Sequence, residues 1–297
     1  MLGGRSEDAE RARFHARDPV NEPAVSLPSR IAGAVARAWF VVAPPLLLAV
    51  LALPLLALLL RVQPQALIAG LGDPAVLEAL RLSLITSAIA TLLVVAFGLP
   101  LAYLLAMRPP RFARVIDVLV DLPMVLPPTV AGFALLMAFG RAGLLGRVLR
   151  LGGIELPFTT AGVVLAQVFM AAPFFIAPVR AGFAAVDRRY LDAAATLRAS
   201  ETYRVVHVLI PLSRRSILAG IAMAAARALG EFGATITFAG NLGGVTRTMP
   251  LAVYVEMQSD LQRALVLSVL MLAMALVLLA GLRSAPGVLP RAIDRLR

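Results

Sequence analysis

The chain has 297 residues, 60% of them hydrophobic and only 15% charged, with a mean hydropathy of +0.87, a balance that excludes an ordinary soluble globular domain. Its net charge of +11 rests on 28 arginines with no lysine, and the absence of cysteine removes disulfides, thiolate catalysis and cysteine metal sites. The arginines cluster between apolar runs without interleaved aromatics, which argues against nucleic acid, and the two histidines, His15 and His207, are too far apart to form a ligand set.

Residues 1–37 are charged and proline-bearing with little periodic hydrophobicity, and read as a disordered cytoplasmic tail. The stretch is too long and too acidic before the first apolar run to be an ordinary signal peptide. Residues 38–285 then hold six runs, at about 39–61, 79–107, 116–139, 160–183, 215–239 and 262–283. Each reaches the roughly 20 residues needed to cross a bilayer, and in lipid such segments must be helical to satisfy their own backbone. The expected fold is an all-α integral membrane protein of about six transmembrane helices, ending in a short cytoplasmic tail at 286–297. With the N-terminus inside, twenty arginines fall in cytoplasmic pieces and seven in external ones, while Arg227 lies within a span. The positive-inside rule therefore puts both termini in the cytoplasm.

The third run opens on Asp121-Leu122-Pro123-Met124-Val125-Leu126-Pro127-Pro128-Thr129. Three prolines in six residues break a helix, and broken backbone at membrane depth must line a cavity or be buried in protein. Pro127, Pro128 and Thr129 are thus candidates for a translocation path, or else mark a packing kink; Gly132 beyond them offers a close-packing face. Residues 140–160, interrupted by Gly143, Gly146, Gly152, Gly153 and Pro157, read as an external hairpin with a short helix or re-entrant piece.

Between the fourth and fifth runs lies a polar island, residues 187–215, with six arginines. Asp187 is a plausible cap for a helix through Asp192, Ala193, Ala194 and Leu197. Val205, Val208 and Leu209 then form an apolar stripe that Pro211 closes. The island resembles the cytoplasmic loop of the permease subunits of bacterial ABC importers, which reads Glu-Ala-Ala, three residues, Gly, then about nine residues to Ile-x-Leu-Pro. Here Asp192-Ala193-Ala194 and Val208-Leu209-Ile210-Pro211 stand in those places, and Arg198 replaces the glycine. If that position requires a positive φ, arginine is strained there. The resemblance implies that Asp192, Ala193, Ala194, Leu197, Arg198 and Pro211 belong to a loop docking into an ATPase subunit.

The fifth run places Arg227 about 16 Å along its helix, near the bilayer middle, where a charge costs roughly 3 kcal/mol without a partner. Glu231, four residues on, shares its face. The two either form a buried structural pair or line the translocation path or gate, with Thr235, Thr237 and Asn241 continuing it outward. Glu231 repels an anion, so the pair is not a tight anion site. Arg227-Ala228-Leu229-Gly230-Glu231-Phe232-Gly233-Ala234-Thr235-Ile236, Ala239-Gly240-Asn241, Thr246-Arg247-Thr248-Met249-Pro250-Leu251-Ala252 and Leu126-Pro127-Pro128 together resemble the molybdate permease subunits of ABC importers, over roughly residues 40–283. Sulfate/thiosulfate permeases share the Glu-Phe-Gly element, and tungstate permeases share more.

The resemblance implies a homodimer in the bacterial cytoplasmic membrane that imports molybdate, or tungstate, by alternating access. Its partners are then two ATPase subunits and an extracytoplasmic molybdate-binding protein. No cofactor belongs to this chain, because ATP is used by the ATPase. A phosphate-binding Gly-x-x-x-x-Gly-Lys-Ser/Thr loop is impossible without lysine. Other readings are a sulfate permease, a membrane-embedded enzyme using Glu231 with Asp117 or Asp121, and a secondary transporter, for which no internal repeat is visible.

Overall fold

The computed structural model describes residues 27–284, with side chains over 35–281; the remainder of both expected tails lies outside the described residues. Every regular element among the described residues is helical. Two units are distinguished, one up to Ala57 and one from Leu58 onward. Helix α1, Leu27–Arg61, supplies the first. It begins earlier than the sequence reading allowed: residues 27–37 belong to a helix, not to a tail, because Ala32, Ala34, Ala36 and Ala38 continue its helix-forming run upstream of the apolar span.

The second unit continues through α2 (Pro64–Leu71), α3 (Pro74–Met107), α4 (Ala113–Val125), α5 (Pro128–Phe139), α6 (Gly146–Leu151) and α7 (Thr160–Ala184). It goes on through α8 (Arg188–Thr196), α9 (Glu201–Leu212), α10 (Arg214–Leu229), α11 (Gly233–Ala239), α12 (Met249–Ser259) and α13 (Leu261–Ser284). Four helices, α1, α3, α7 and α13, are each long and apolar enough to cross a bilayer. The third and fifth expected spans are each divided in two, α4 with α5 and α10 with α11. Proline causes the first break: Leu126 and Pro127 are extended (ψ 133° at both), and α5 restarts with Pro128 in its first turn.

Helix α7 is the centre of the unit. Its Phe175, Ile176, Val179 and Phe183 are buried against Ala90, Val94 and Ala102 of α3 and Ala224 and Ala228 of α10. Small residues let the backbones approach, as membrane helices require where lipid leaves no hydrophobic drive between them. A Cβ on Gly98 would lie 2.8 Å from the Phe175 ring, and one on Gly220 would lie 3.0 Å from Val179. A second cluster joins Ala131 and Leu135 of α5, Ala166 and Met170 of α7, and Ala234 and Phe238 of α11. A third joins Val76 and Ala79 of α3, Met249 and Ala252 of α12, and Leu267 of α13. There the Ser83 hydroxyl accepts a hydrogen bond from the Met249 amide at 2.7 Å, satisfying a free donor at the start of α12.

The start of α3 is tied to α13. Asp73 caps α3 by accepting from the Ala75 amide at 2.9 Å and forms an ion pair with Arg263. The Ala75 hydrogen bond, with the Arg263 guanidinium adding to it against the opposing push of burial, holds the Asp73 carboxyl below its ordinary value of 3.8.

Candidate functional site

The polar island folds as two helices. Asp187 caps α8 as the sequence suggested, its carboxylate accepting from the Arg189 amide at 3.0 Å. The helix closes with the Arg198 amide donating to the Ala195 carbonyl (2.9 Å) and the Ala199 amide donating to the Ala194 carbonyl (3.1 Å). This is the Schellman pattern, and it needs a left-handed residue at Arg198. Arg198 has φ +60°. The turn expected of a glycine is therefore kept with an arginine in it, at the steric cost a Cβ brings in that region.

Ser200 then starts α9, its hydroxyl accepting from the Tyr203 amide at 3.2 Å. Between Val205 and Leu209 the helix widens into a π turn. Pro211 lacks an amide hydrogen, so the ladder is interrupted at this place in any case. Pro211 does not close the segment as the sequence suggested. The helix runs on to Leu212 and turns by 74° into α10 at Ser213, which is buried and donates to the Gly182 carbonyl of α7 at 3.4 Å.

Asp192, Ala193, Leu197 and Arg198 are exposed and Ala194 is half-buried. Leu197 (84% exposed), Tyr190 and Tyr203 present apolar surface around them, and the Tyr203 ring stacks on His207 at 4.2 Å. A helical hairpin with this much uncovered apolar area is suited to a protein partner.

An unexpected residue fastens this hairpin to α3. Glu201 accepts from the Tyr103 hydroxyl and pairs with Arg108, both at 2.8 Å. Arg180 of α7 likewise pairs with Asp117 of α4. Asp117 is thereby paired with Arg180, while Glu231 is engaged by Arg227 and the Ala234 amide. Spacing along the chain carried no sign of either pair, since the partners are 93 and 63 residues apart.

At the other polar feature, α10 ends at Leu229 and the chain is non-helical from Gly230 to Phe232. Arg227 and Glu231 therefore do not share one continuous helix, as was expected, yet they still meet: Arg227 Nη1 lies 2.6 Å from Glu231 Oε2. The Glu231 carboxylate is fully buried and the Arg227 side chain is 21% exposed. Oε1 of the same carboxylate accepts from the Ala234 amide at 2.7 Å. Phe232, at the cap position of α11, has no acceptor in its side chain, and Glu231 provides one from the preceding residue. One carboxylate thus holds both sides of the break.

The remaining predicted residues divide. Thr235 is buried with an unpartnered hydroxyl, whereas Thr237 donates to the Gly233 carbonyl at 2.9 Å. Asn241 accepts from Arg247 Nε at 3.0 Å, and the Thr246 hydroxyl accepts from the Leu242 amide at 2.8 Å, so the Asn241–Thr248 stretch is a self-closed loop. Pro127, Pro128 and Thr129 are exposed at the start of α5. The two half-helices, α5 and α11, cross by reciprocal glycines: a Cβ on Gly132 would stand 2.7 Å from the Ala234 carbonyl oxygen, and one on Gly233 would stand 2.6 Å from Pro128. The two breaks are therefore neighbours in space.

A family model described as "Binding-protein-dependent transport system inner membrane component" matches residues 98–285, which takes in the hairpin and both breaks. The "Molybdenum transport system permease protein ModB" of Mycobacterium tuberculosis is 42% identical over 230 residues, covering 77% of this chain and 87% of that one. The ModB of Escherichia coli K12 is 39% identical over 183 residues, 61% and 80% of the two chains. The "Probable transport system permease protein NifC" of Clostridium pasteurianum is 36% identical over 218 residues, 73% and 76% of the two. Among solved structures, a bacterial ABC transporter for the import of alginate superposes with a TM-score of 0.69 at 12% identity, over 86% of this chain and 97% of that one, and shows the fold. The chain belongs to the binding-protein-dependent transport system inner-membrane components, the permeases of ABC importers.

Proposed function

We propose that the chain is the membrane-spanning subunit of an ATP-driven importer of molybdate, acting as a homodimer with two ATPase subunits and an extracytoplasmic binding protein. The observation that carries the ATP-driven reading is the exposed α8–α9 hairpin, joined to α10 through a single bend of 74° at Ser213. A push on the hairpin is delivered to α10 through covalent bonds and to α3 through Glu201. Molybdate as the cargo is supported by the names of relatives, among them the molybdenum transport permeases of Mycobacterium tuberculosis and Escherichia coli K12.

In this reading the hairpin lies in the cytoplasm, as do both termini, in keeping with the arginine distribution. Asp192, Ala193, Ala194, Leu197 and Arg198 form the docking face, and Pro211 sits in the π-turned helix that transmits the displacement. The chain performs no chemistry and binds no cofactor; hydrolysis of ATP belongs to the partner. Arg227 and Glu231 act as a structural clasp across the break in the fifth span. The exposed Pro127, Pro128 and Thr129 face the pathway between two copies, and Thr235 lends its free hydroxyl at the same depth. ATP-driven closure must favour one of two access states by differential affinity, since equal affinity shifts nothing.

The test is radiolabelled molybdate uptake into proteoliposomes holding this chain, its ATPase and its binding protein, with excess sulfate as competitor. ATP-dependent uptake that resists sulfate is expected. Uptake erased by sulfate moves the cargo to sulfate, and uptake indifferent to ATP sinks the ATP-driven reading.

A further inference from the structure

Where the hairpin meets the end of α3 there is a cavity of about 150 Å³. It exceeds by far the roughly 10–15 Å³ that one water requires. Its charged lining comes from three elements: Arg108 following α3, Arg188 and Asp192 of α8, and Glu201 and Arg204 of α9. Three guanidinium groups against two carboxylates leave one positive charge in excess. Glu201 is already taken by Tyr103 and Arg108. Among the described residues the Arg188 side chain has no ion-pair or hydrogen-bond partner, and Arg204 Nε is buried without an acceptor. A buried donor left unmade is costly, so an arginine held this way implies an acceptor that completes it.

We propose that this cavity is a binding site for a small tetrahedral oxyanion of the phosphate type, held by Arg204 and Arg188. The guanidinium fork matches two oxygens of such an anion, and two forks on different helices match four. Asp192, which also lines the cavity, opposes the charge of the anion and lowers its affinity. A bound oxyanion ties α8 to α9 beside the Glu201 clasp, and so stiffens the hairpin against α3. The same chemistry has two sources, the free ion and the phosphate headgroup of an anionic lipid. The site stands independently of the transport reading, because its test needs neither ATPase, binding protein nor cargo.

The experiment uses the purified full chain. In detergent, inorganic phosphate is titrated against chloride at matched ionic strength, and melting temperature and equilibrium dialysis of labelled phosphate are read. Saturable binding with a raised melting temperature is expected, weakened tenfold or more in Arg204→Gln and in Arg188→Gln. Each variant is first melted without phosphate, so that a folding defect is recognised; if one fails to fold, the other carries the comparison. In a second arm, hydrogen exchange over residues 188–204 is compared in nanodiscs of phosphatidylcholine with and without phosphatidic acid. Protection by phosphatidic acid, lost in the same variants and absent with free phosphate, assigns the site to a headgroup. Absence of both effects, or effects unchanged in Arg204→Gln and Arg188→Gln, overturns the proposal.

Discussion

Arg198 sits in a conformation that residues other than glycine and asparagine seldom adopt, within a helix-closing turn whose two hydrogen bonds demand it. Replacing it by glycine removes a steric cost of about 1 kcal/mol, part of which is offset by the greater freedom of the unfolded chain. Arg198→Gly should therefore raise the melting temperature of the purified chain modestly and slow hydrogen exchange at the Ala199 amide; a drop in both would mean that the guanidinium has a stabilising contact of its own. Glu231 presents the opposite case, a buried carboxylate with two partners on either side of a break. Arg227→Ala strands that charge and should cost about 3–5 kcal/mol, whereas Glu231→Gln keeps the acceptor for Ala234 and should cost less. A double-mutant cycle on thermal stability reads the coupling: additive effects would show that the two residues do not act as a pair. Asp73 adds a pH dependence. Its carboxyl is held below the ordinary 3.8, so the contribution is present above the unfolded value and fades as the pH falls through the lower folded value. The stability gap between the parent and Asp73→Asn, which keeps the cap but not the charge, should close below about pH 4.

At the level of elements, the two divided spans depend on each other. The backbones of α5 and α11 touch at Gly132 and Gly233, where an added methyl would stand under 3 Å from backbone or proline atoms. Neither neighbour is the loose end of a flexible side chain, so the helices themselves must separate. Gly132→Val is expected to lower the yield of folded protein and to abolish uptake in the folded fraction, a result read by size-exclusion profile together with transport. Normal uptake by Gly132→Val would show that α5 and α11 move apart during the cycle without consequence. The hairpin behaves differently, because its helices are capped at Asp187 and Ser200 and closed at Arg198, all within the segment. Its outer face is free to change without unfolding it. Replacing Ala193 and Ala194 by glutamate should therefore abolish ATP-dependent uptake while the melting temperature stays within a few degrees, and full uptake by such a variant would remove the docking role.

For the whole molecule, residence in the membrane, an all-helical fold and the existence of a capped hairpin between the fourth and fifth spans were legible in the residues. Long apolar runs, caps and helix-stopping prolines act over one or two turns, and each is written in adjacent letters. The left-handed turn at Arg198 came into view only through the resemblance, which has a glycine at that place, and the arginine keeps it. The division of the fifth span was not legible: Gly230-Glu231-Phe232 reads as continuous helix, yet the chain opens there and Glu231 is buried against Arg227 and Ala234. Nor was the clasp of Glu201 on Tyr103 and Arg108, or that of Asp117 on Arg180, since any of several nearby arginines would have served as well by spacing alone. Sequence by itself determined the long apolar runs, the all-helical fold and the caps at Asp187 and Ser200. Tertiary structure decided which charges meet and where two helices can cross, because those depend on distances between segments that the chain brings together only when α7 is enclosed by its neighbours.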